Sequence, residues 1–142
     1  VSGDPGYSAS VQHGLIAAAS DQSAGIYWHA TNDTATGATA TALGTGNANT
    51  NTIVTTYGTE SNAAKLASDL SLNGYDDWYL PSLNELYKLC LNYAVIGGFT
   101  ANWYWSSTEL NAADARAYVG TTCTQGDGPK SQALKVRAIR SF

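Results

Sequence analysis

Hydrophobic positions along the chain change period from end to end, and the changes predict the elements. The run 13–20 (HGLIAAAS) is short, apolar and closed by Asp21 and Gln22, which predicts a buried strand. Ile26 to His29 reads as its partner strand. No charged residue lies between Asp33 and Glu60; Thr, Ala, Gly and Asn surround Leu43, Ile53, Val54 and Tyr57. This stretch reads as a long ordered loop with disorder as the competing reading, because the embedded apolar residues need somewhere to pack.

Ala63, Leu66, Ala67 and Leu70 carry helical spacing, and Asn73 with Gly74 supplies a left-handed stop, so a helix is predicted over 61–72. Ser82 and Glu85, directly after Pro81, form an S-x-x-E capping box. The second helix starts there, lays Leu83, Leu86, Tyr87, Cys90 and Tyr93 on one stripe, and stops near Gly97 and Gly98. Beyond Phe99, clusters at 103–105, 117–119 and 134–139 read as short strands divided by turns, with Gly126, Asp127, Gly128 and Pro129 as a surface loop. The fold class is α+β, with two helices packed on a small, mostly antiparallel sheet.

Composition narrows the function classes. The 142 residues suit one domain over 1–142 that can fold without metals or disulfides. Charged residues are 13% of the chain, and 7 Lys plus Arg against 11 Asp plus Glu give a net charge of −4, which leaves little attraction for nucleic acid or anionic membrane surfaces. No apolar run reaches the roughly 20 residues of a membrane helix, so no membrane insertion is expected. The start, Val1, Ser2, Gly3 and Asp4, lacks the parts of a signal peptide and has no initiator Met, which suggests a piece of something longer. Cys90 reads as a buried helix thiol, while Cys123, in a loop-like stretch, is open to three readings: a free thiol, which is preferred, a bridge to Cys90, or a nucleophile.

Five phrases occur in order: HGLIAAASDQSAGIYW (13–28), GTGNANTNTIV (44–54), NGYDDWYLPSLNEL (73–86), YWSSTE (104–109) and VRAIRSF (136–142). Together they resemble a domain family of bacteria and phages with the C-type-lectin-like fold, which includes the C-terminal domain of a collagen-like adhesin. The resemblance covers nearly the whole chain from His13 onward. It extends to the variable proteins of diversity-generating retroelements, in which a lectin-like scaffold holds a C-terminal segment that the element rewrites. It implies a ligand-binding module with long ordered loops and a variable region over 104–134, displayed outside the cell, on a virion or on a cell surface. Two departures stand out: Arg116 where a bulky aromatic is usual after Ala115, and Cys123 where Gly is common.

Candidate contacts follow from residue type within that region. Tyr104, Arg116 and Tyr118 lead, because Tyr and Arg give large amphipathic contact area; inward-pointing side chains are the competing reading. Leu110, Ala112, Asp114, Thr121, Thr122, Thr124, Asp127 and Ser131 fill the same expected face, against a plain solvated loop. Trp78, Trp105 and Phe142 are expected in the core, and Glu109, Arg137 and Arg140 either in a partly buried ion-pair network or on the surface. The acid–amide–Pro and Trp-Asn-Asp phrases of calcium-dependent lectins are missing, and Asp76 with Asp77, or Asn32 with Asp33, falls short of a calcium shell. No metal or cofactor is therefore expected.

Catalysis is not expected either. His13 and His29 are strand-like and give no base paired with Ser106 or Ser107, and the lone G-x-G at Gly44 to Gly46 lacks the third glycine of a dinucleotide fingerprint. Three functions stay open: recognition of a protein or glycan on a host or target surface, assembly within a phage tail or cell envelope, and calcium-dependent sugar binding. Oligomeric state is not set by the sequence.

Overall fold

The computed structural model describes residues 12–31 and 33–142; the expectations resting on residues 1–4 and on Asn32 lie outside them. The capping box at Ser82 and Glu85 forms. Ser82 Oγ accepts from the Glu85 N–H at 3.3 Å, and Glu85 Oε2 accepts from the Ser82 N–H at 2.7 Å, starting helix α3 (Leu83–Leu91). The same carboxylate is fully buried and also accepts from the N–H groups of Gly44 and Gly46. It therefore seats the first turn of a second helix, α1 (Gly46–Tyr57), where the sequence suggested a loop.

That loop expectation fails for a physical reason. The buried positions of α1, Gly46, Asn49, Thr50, Ile53 and Tyr57, are spaced as on one helical face, but small and polar residues fill most of them. Hydrogen bonds replace apolar contact: Thr50 Oγ1 bonds both the carbonyl and the N–H of Leu80, and Asn49 Nδ2 donates to Ala40 O at 2.7 Å. The expected helix over 61–72 is shorter, α2 (Ala63–Ser68), capped by Asn62, whose side chain accepts from the Lys65 N–H. The expected second helix breaks at Asn92, leaving the short α4 (Tyr93–Ile96). There are thus four helices among the described residues, not two.

The strands are β1 (Leu15–Ala17), β2 (Ser23–Tyr27), β3 (Trp103–Glu109), β4 (Asp114–Val119), β5 (Gln125–Pro129), β6 (Ala133–Val136) and β7 (Ile139–Ser141). Five form one sheet in the order β2-β6-β3-β4-β5, antiparallel except for the parallel contact of β3 with β6. β1 pairs with β7, so the first strand does not take β2 as its partner; Gly14 and Phe142 exchange backbone hydrogen bonds beside this pair. Phe142, expected in the core, is 51% exposed with its ring against Gly14. Trp78 and Trp105 are buried as expected. The 126–129 segment is not a loop but the edge strand β5, a position that tolerates Pro and Gly because one side needs no partner. With helices over a mostly antiparallel sheet and long ordered connections, the architecture is that of a C-type-lectin-like domain.

Apolar side chains cover both faces of the sheet. Trp105, Ala115, Ala117 and Val136 join Trp28 and Ile53 on one side, while Tyr104 and Tyr118 join Leu83, Leu86 and Leu89 on the other. Glu109, Arg137 and Arg140 do not form one network. They make three separate ion pairs, with Lys130 (2.6 Å), Asp21 (2.7 Å) and Asp77 (2.6 Å). Cys90 and Cys123 are bridged, which corrects the free-thiol reading and leaves Cys123 no thiol to act as a nucleophile. The bridge ties α3 to the turn after β4, and Cys123 sits there at φ 54°, the left-handed region that favours Gly.

Variants at the buried ion pair and at the disulfide have expected outcomes. Lys130→Ala strands the Glu109 carboxylate in the interior and lowers unfolding free energy by about 3–5 kcal/mol in urea titrations. Burial pushes the Glu109 carboxyl up, but hydrogen bonds from Lys130 and from the Thr36 and Gly37 N–H groups outweigh it and hold its pKa below the ordinary 4.5. Its contribution is therefore present above pH 4.5 and lost as pH falls through the lower folded value, so Glu109→Gln shows a shallower acid limb. For the bridge, Cys90→Ala costs roughly 3–4 kcal/mol. Cys123→Gly loses the same bridge but suits the positive φ, and retains about 1 kcal/mol more stability than Cys123→Ala in guanidinium titrations. Equal values for the last two variants would show that the turn relaxes once the bridge is gone.

Candidate ligand-binding face

The segment expected to carry the contacts is built on the β3–β4–β5 ribbon. Its first turn is held locally: Asn111 Oδ1 accepts from the Ala113 and Asp114 N–H groups at 2.7 and 2.8 Å, and the Leu110 N–H donates to Asp114 O. Leu110 is exposed at this turn, and Ala112 and Asp114 are half-buried. Because the turn's own polar groups satisfy one another, its outward side chains are not needed for its shape.

Further along the ribbon, cross-strand pairs line one face. Arg116 stands opposite Asp127, and its Nη1 donates to Asp127 Oδ1 at 3.1 Å with both side chains partly open to solvent. Tyr118 stands opposite Gln125 and donates its hydroxyl to Gln125 Oε1 at 3.0 Å. The threonines at the next turn follow: Thr122 and Thr124 are exposed with their hydroxyls 2.9 Å apart, and Thr121 is half-buried. Ser131, past β5, is also half-buried.

Two leading candidates are not surface residues. Tyr104 is fully buried: its ring packs on Phe99 and closes over Gly120, and its hydroxyl donates to Asp21 Oδ2 at 3.0 Å. Tyr118 is buried against the stacked ring of Tyr87 and the side chains of α3, and burial pushes its phenol pKa up. Strand alternation explains both. Tyr104 and Tyr118 face each other across β3 and β4 on the side that α3 covers, whereas Arg116 shares that side beyond the helix. Of the three leading residues, Arg116 is the one on the face.

Residues on the opposite side of the ribbon were not singled out by type. Trp103, at the start of β3, is partly exposed and its ring lies against Gly126 of β5, where an added Cβ would come within 2.6 Å of the indole. Beside it opens a shallow cleft of about 170 Å³ lined by Trp103, Ala117, Asp127, Gly128, Gln132 and Leu134. The two glycines at i and i+2, Gly126 and Gly128, point to this only once the segment is known to be an edge strand, where they leave one face without side chains for something large to lie across.

The alternatives weighed from sequence meet other partners. Asp77 is clamped by the Arg140 guanidinium, and Asp33 accepts from the Thr31 and Thr34 hydroxyls, whose bonds hold its carboxyl below the ordinary range. Among the described residues no group of three or more His, Cys, Asp or Glu side chains is placed to hold a metal ion. His29 is stacked on Tyr57 with its Nε2 2.9 Å from Glu60, while Ser106 is buried and donates to Arg116 O. What the region offers a partner is a rigid ribbon carrying one ion pair, several hydroxyls and amides, and an indole plane.

A comparison with curated proteins finds no match to the chain. The model of the Lcl C-terminal domain family matches residues 17–140, which takes in the helices, the ribbon and both faces described above. The chain belongs to the Lcl C-terminal domain family, a group of C-type-lectin-like ligand-binding modules.

Proposed function

We propose that the chain is a non-catalytic recognition module, of the kind diversified by retroelements, which displays a variable face to a protein or glycan on a host or target surface. It would act outside the cell, on a virion or on a cell surface, as part of a longer or assembled protein. One observation carries the reading. Along β4 and β5 the residues on the Trp105 side are small, Ala115, Ala117, Gly126 and Gly128, while on the other side Arg116 bonds Asp127 and the buried Tyr118 bonds Gln125 across the strands. Replacing Arg116, Asp127 and Gln125 would leave the sheet's backbone ladder and the Trp105 core intact.

Such a division suits recognition, since contact groups already held in place lose less entropy on binding than groups on free loops. A neighbouring reverse-transcriptase gene with a near-copy of the segment encoding 104–134 would support the retroelement reading. The assembly alternative has one feature in its favour: Leu91, Tyr93 and Val95 on α3 and α4 are exposed, Val95 at 89%. Light scattering separates the two, because an oligomer that dissociates on Val95→Asp would favour assembly.

Labelled chain applied to intact candidate host cells tests the reading. Arg116→Ala and Asp127→Ala are expected to lower capture by about fivefold or more while shifting stability by no more than about 1 kcal/mol, since the pair is partly solvated. Asn51→Ala on the exposed side of α1 leaves capture unchanged. Equal capture by all four proteins would remove this face from consideration.

A further inference from the structure

We propose that the cleft beside Trp103 is a subsite for a single neutral pyranose ring of a glycan, stacked on the indole and hydrogen-bonded by Gln132. The proposal rests on the recognition reading above and names a ligand class for a surface on the other side of the ribbon from Arg116.

The site is made by missing side chains. On β5, Gly126 and Gly128 point to the same face as Ala117 of β4, to which Gly126 is paired. A Cβ on Gly126 would meet the Trp103 ring at 2.6 and 2.8 Å, and one on Gly128 would meet Gln132 Oε1 at 2.8 Å. Glycine in a strand interior costs stability, and an edge strand with two of them marks a place where another group comes close to the backbone. Here they let the indole reach across Ala117 to the sheet edge and let the Gln132 amide lie over β5. What remains between them is the cleft of about 170 Å³.

Its chemistry selects the ligand. A pyranose has an apolar C–H face that matches an aromatic plane, and hydroxyls around its rim that a primary amide can serve as donor and acceptor at once. Charge argues for a neutral sugar. None of the lining residues is Lys or Arg, and Asp127, the one charged residue among them, is engaged by Arg116. A sulfated or carboxylated sugar would find no counter-charge in a chain of net charge −4. Size agrees, because pockets for drug-sized ligands run to about 300–1,000 Å³ whereas this one has room for one ring. A strand-adding peptide fits less well, since β5 ends at Pro129, which has no N–H.

One shallow ring binds weakly, so dense display is the right probe. The full chain is applied to an array carrying glycans that end in glucose, galactose, mannose, N-acetylglucosamine or N-acetylgalactosamine, together with sialylated and sulfated glycans. Retention is expected on at least one neutral class and is unchanged by a calcium chelator. It is expected to fall about tenfold with Trp103→Ala or Gly126→Val, and about fivefold with Gln132→Ala. Gln132 is exposed, so its replacement leaves the fold intact and keeps the test valid should a Trp103 variant misfold.

Retention equal in wild type and Gln132→Ala, retention confined to acidic glycans, loss in chelator, or no retention would each overturn the subsite. An empty array beside Arg116-dependent capture of cells would sink the sugar subsite and leave the recognition reading standing. Failure of both would remove both.

Discussion

Lys130 holds the β3–β4–β5 ribbon to the rest of the frame. Its ammonium is fully buried, lies over the Trp28 ring and donates to Glu109 Oε1 at 2.6 Å and to the Thr34 carbonyl at 2.8 Å. Its carbonyl accepts from the N–H groups of Trp28 and His29, and its own N–H donates to Ala113 O. Glu109 completes the knot by accepting from Thr36 and Gly37. One residue thus joins the end of β2, the 33–38 connection, the end of β3 and the turn before β4. Burying two charges is costly, and the cost is offset only if every bond forms together. A half-formed version of this region is therefore disfavoured, which is how a buried pair specifies one arrangement of loops rather than merely adding stability.

From that constraint the division of labour along the ribbon follows. β3 is central and covered on both sides, so Tyr104 and Trp105 are equally buried although they point in opposite directions. β4 is covered by α3 over Tyr118 alone, and β5 hardly at all. Exposure increases toward the edge, from Tyr104, through Arg116, to Asp127 and Gln125. The disulfide pins the far turn to α3, so the ribbon is held at the Lys130 end and at the Cys123 end with its outer side chains between them.

The sequence made most of the scaffold legible, and the misses share a cause. Ser82 with Glu85 announced α3 because a capping box is a local signal; Asn73 and Gly74 do take positive φ, but the helix they were expected to stop ends earlier, at Ser68. α1 was hidden because its buried face uses Thr50 and Asn49 where a hydrophobic count looks for Leu. β5 was hidden because Gly and Pro signal turns unless a neighbouring strand provides register, and register is not local. The Cys90 bridge spans a separation of 33 residues and could not be told from two thiols. For the candidate face, residue type found Arg116 and Asp127 but also chose Tyr104 and Tyr118, since only the third dimension says which side of β3 and β4 the helix covers.

Glycine placement links these levels. Gly46 and Gly120 lie inside, where a Cβ would strike Glu85 in one case and Tyr104 in the other, so they serve the packing of the frame. Gly126 and Gly128 lie on the edge strand, where a Cβ would strike the Trp103 ring in one case and the Gln132 amide in the other. What they admit instead is the Trp103 indole and the Gln132 amide. An alanine at either position would push the indole or the amide aside, so the two glycines keep those groups lying across the strand. Between the indole and the amide lies the open cleft, on the side of the ribbon that Arg116 does not use. The ribbon then presents two surfaces back to back, with Asp127 at the rim of both, each adjustable without loss of the other.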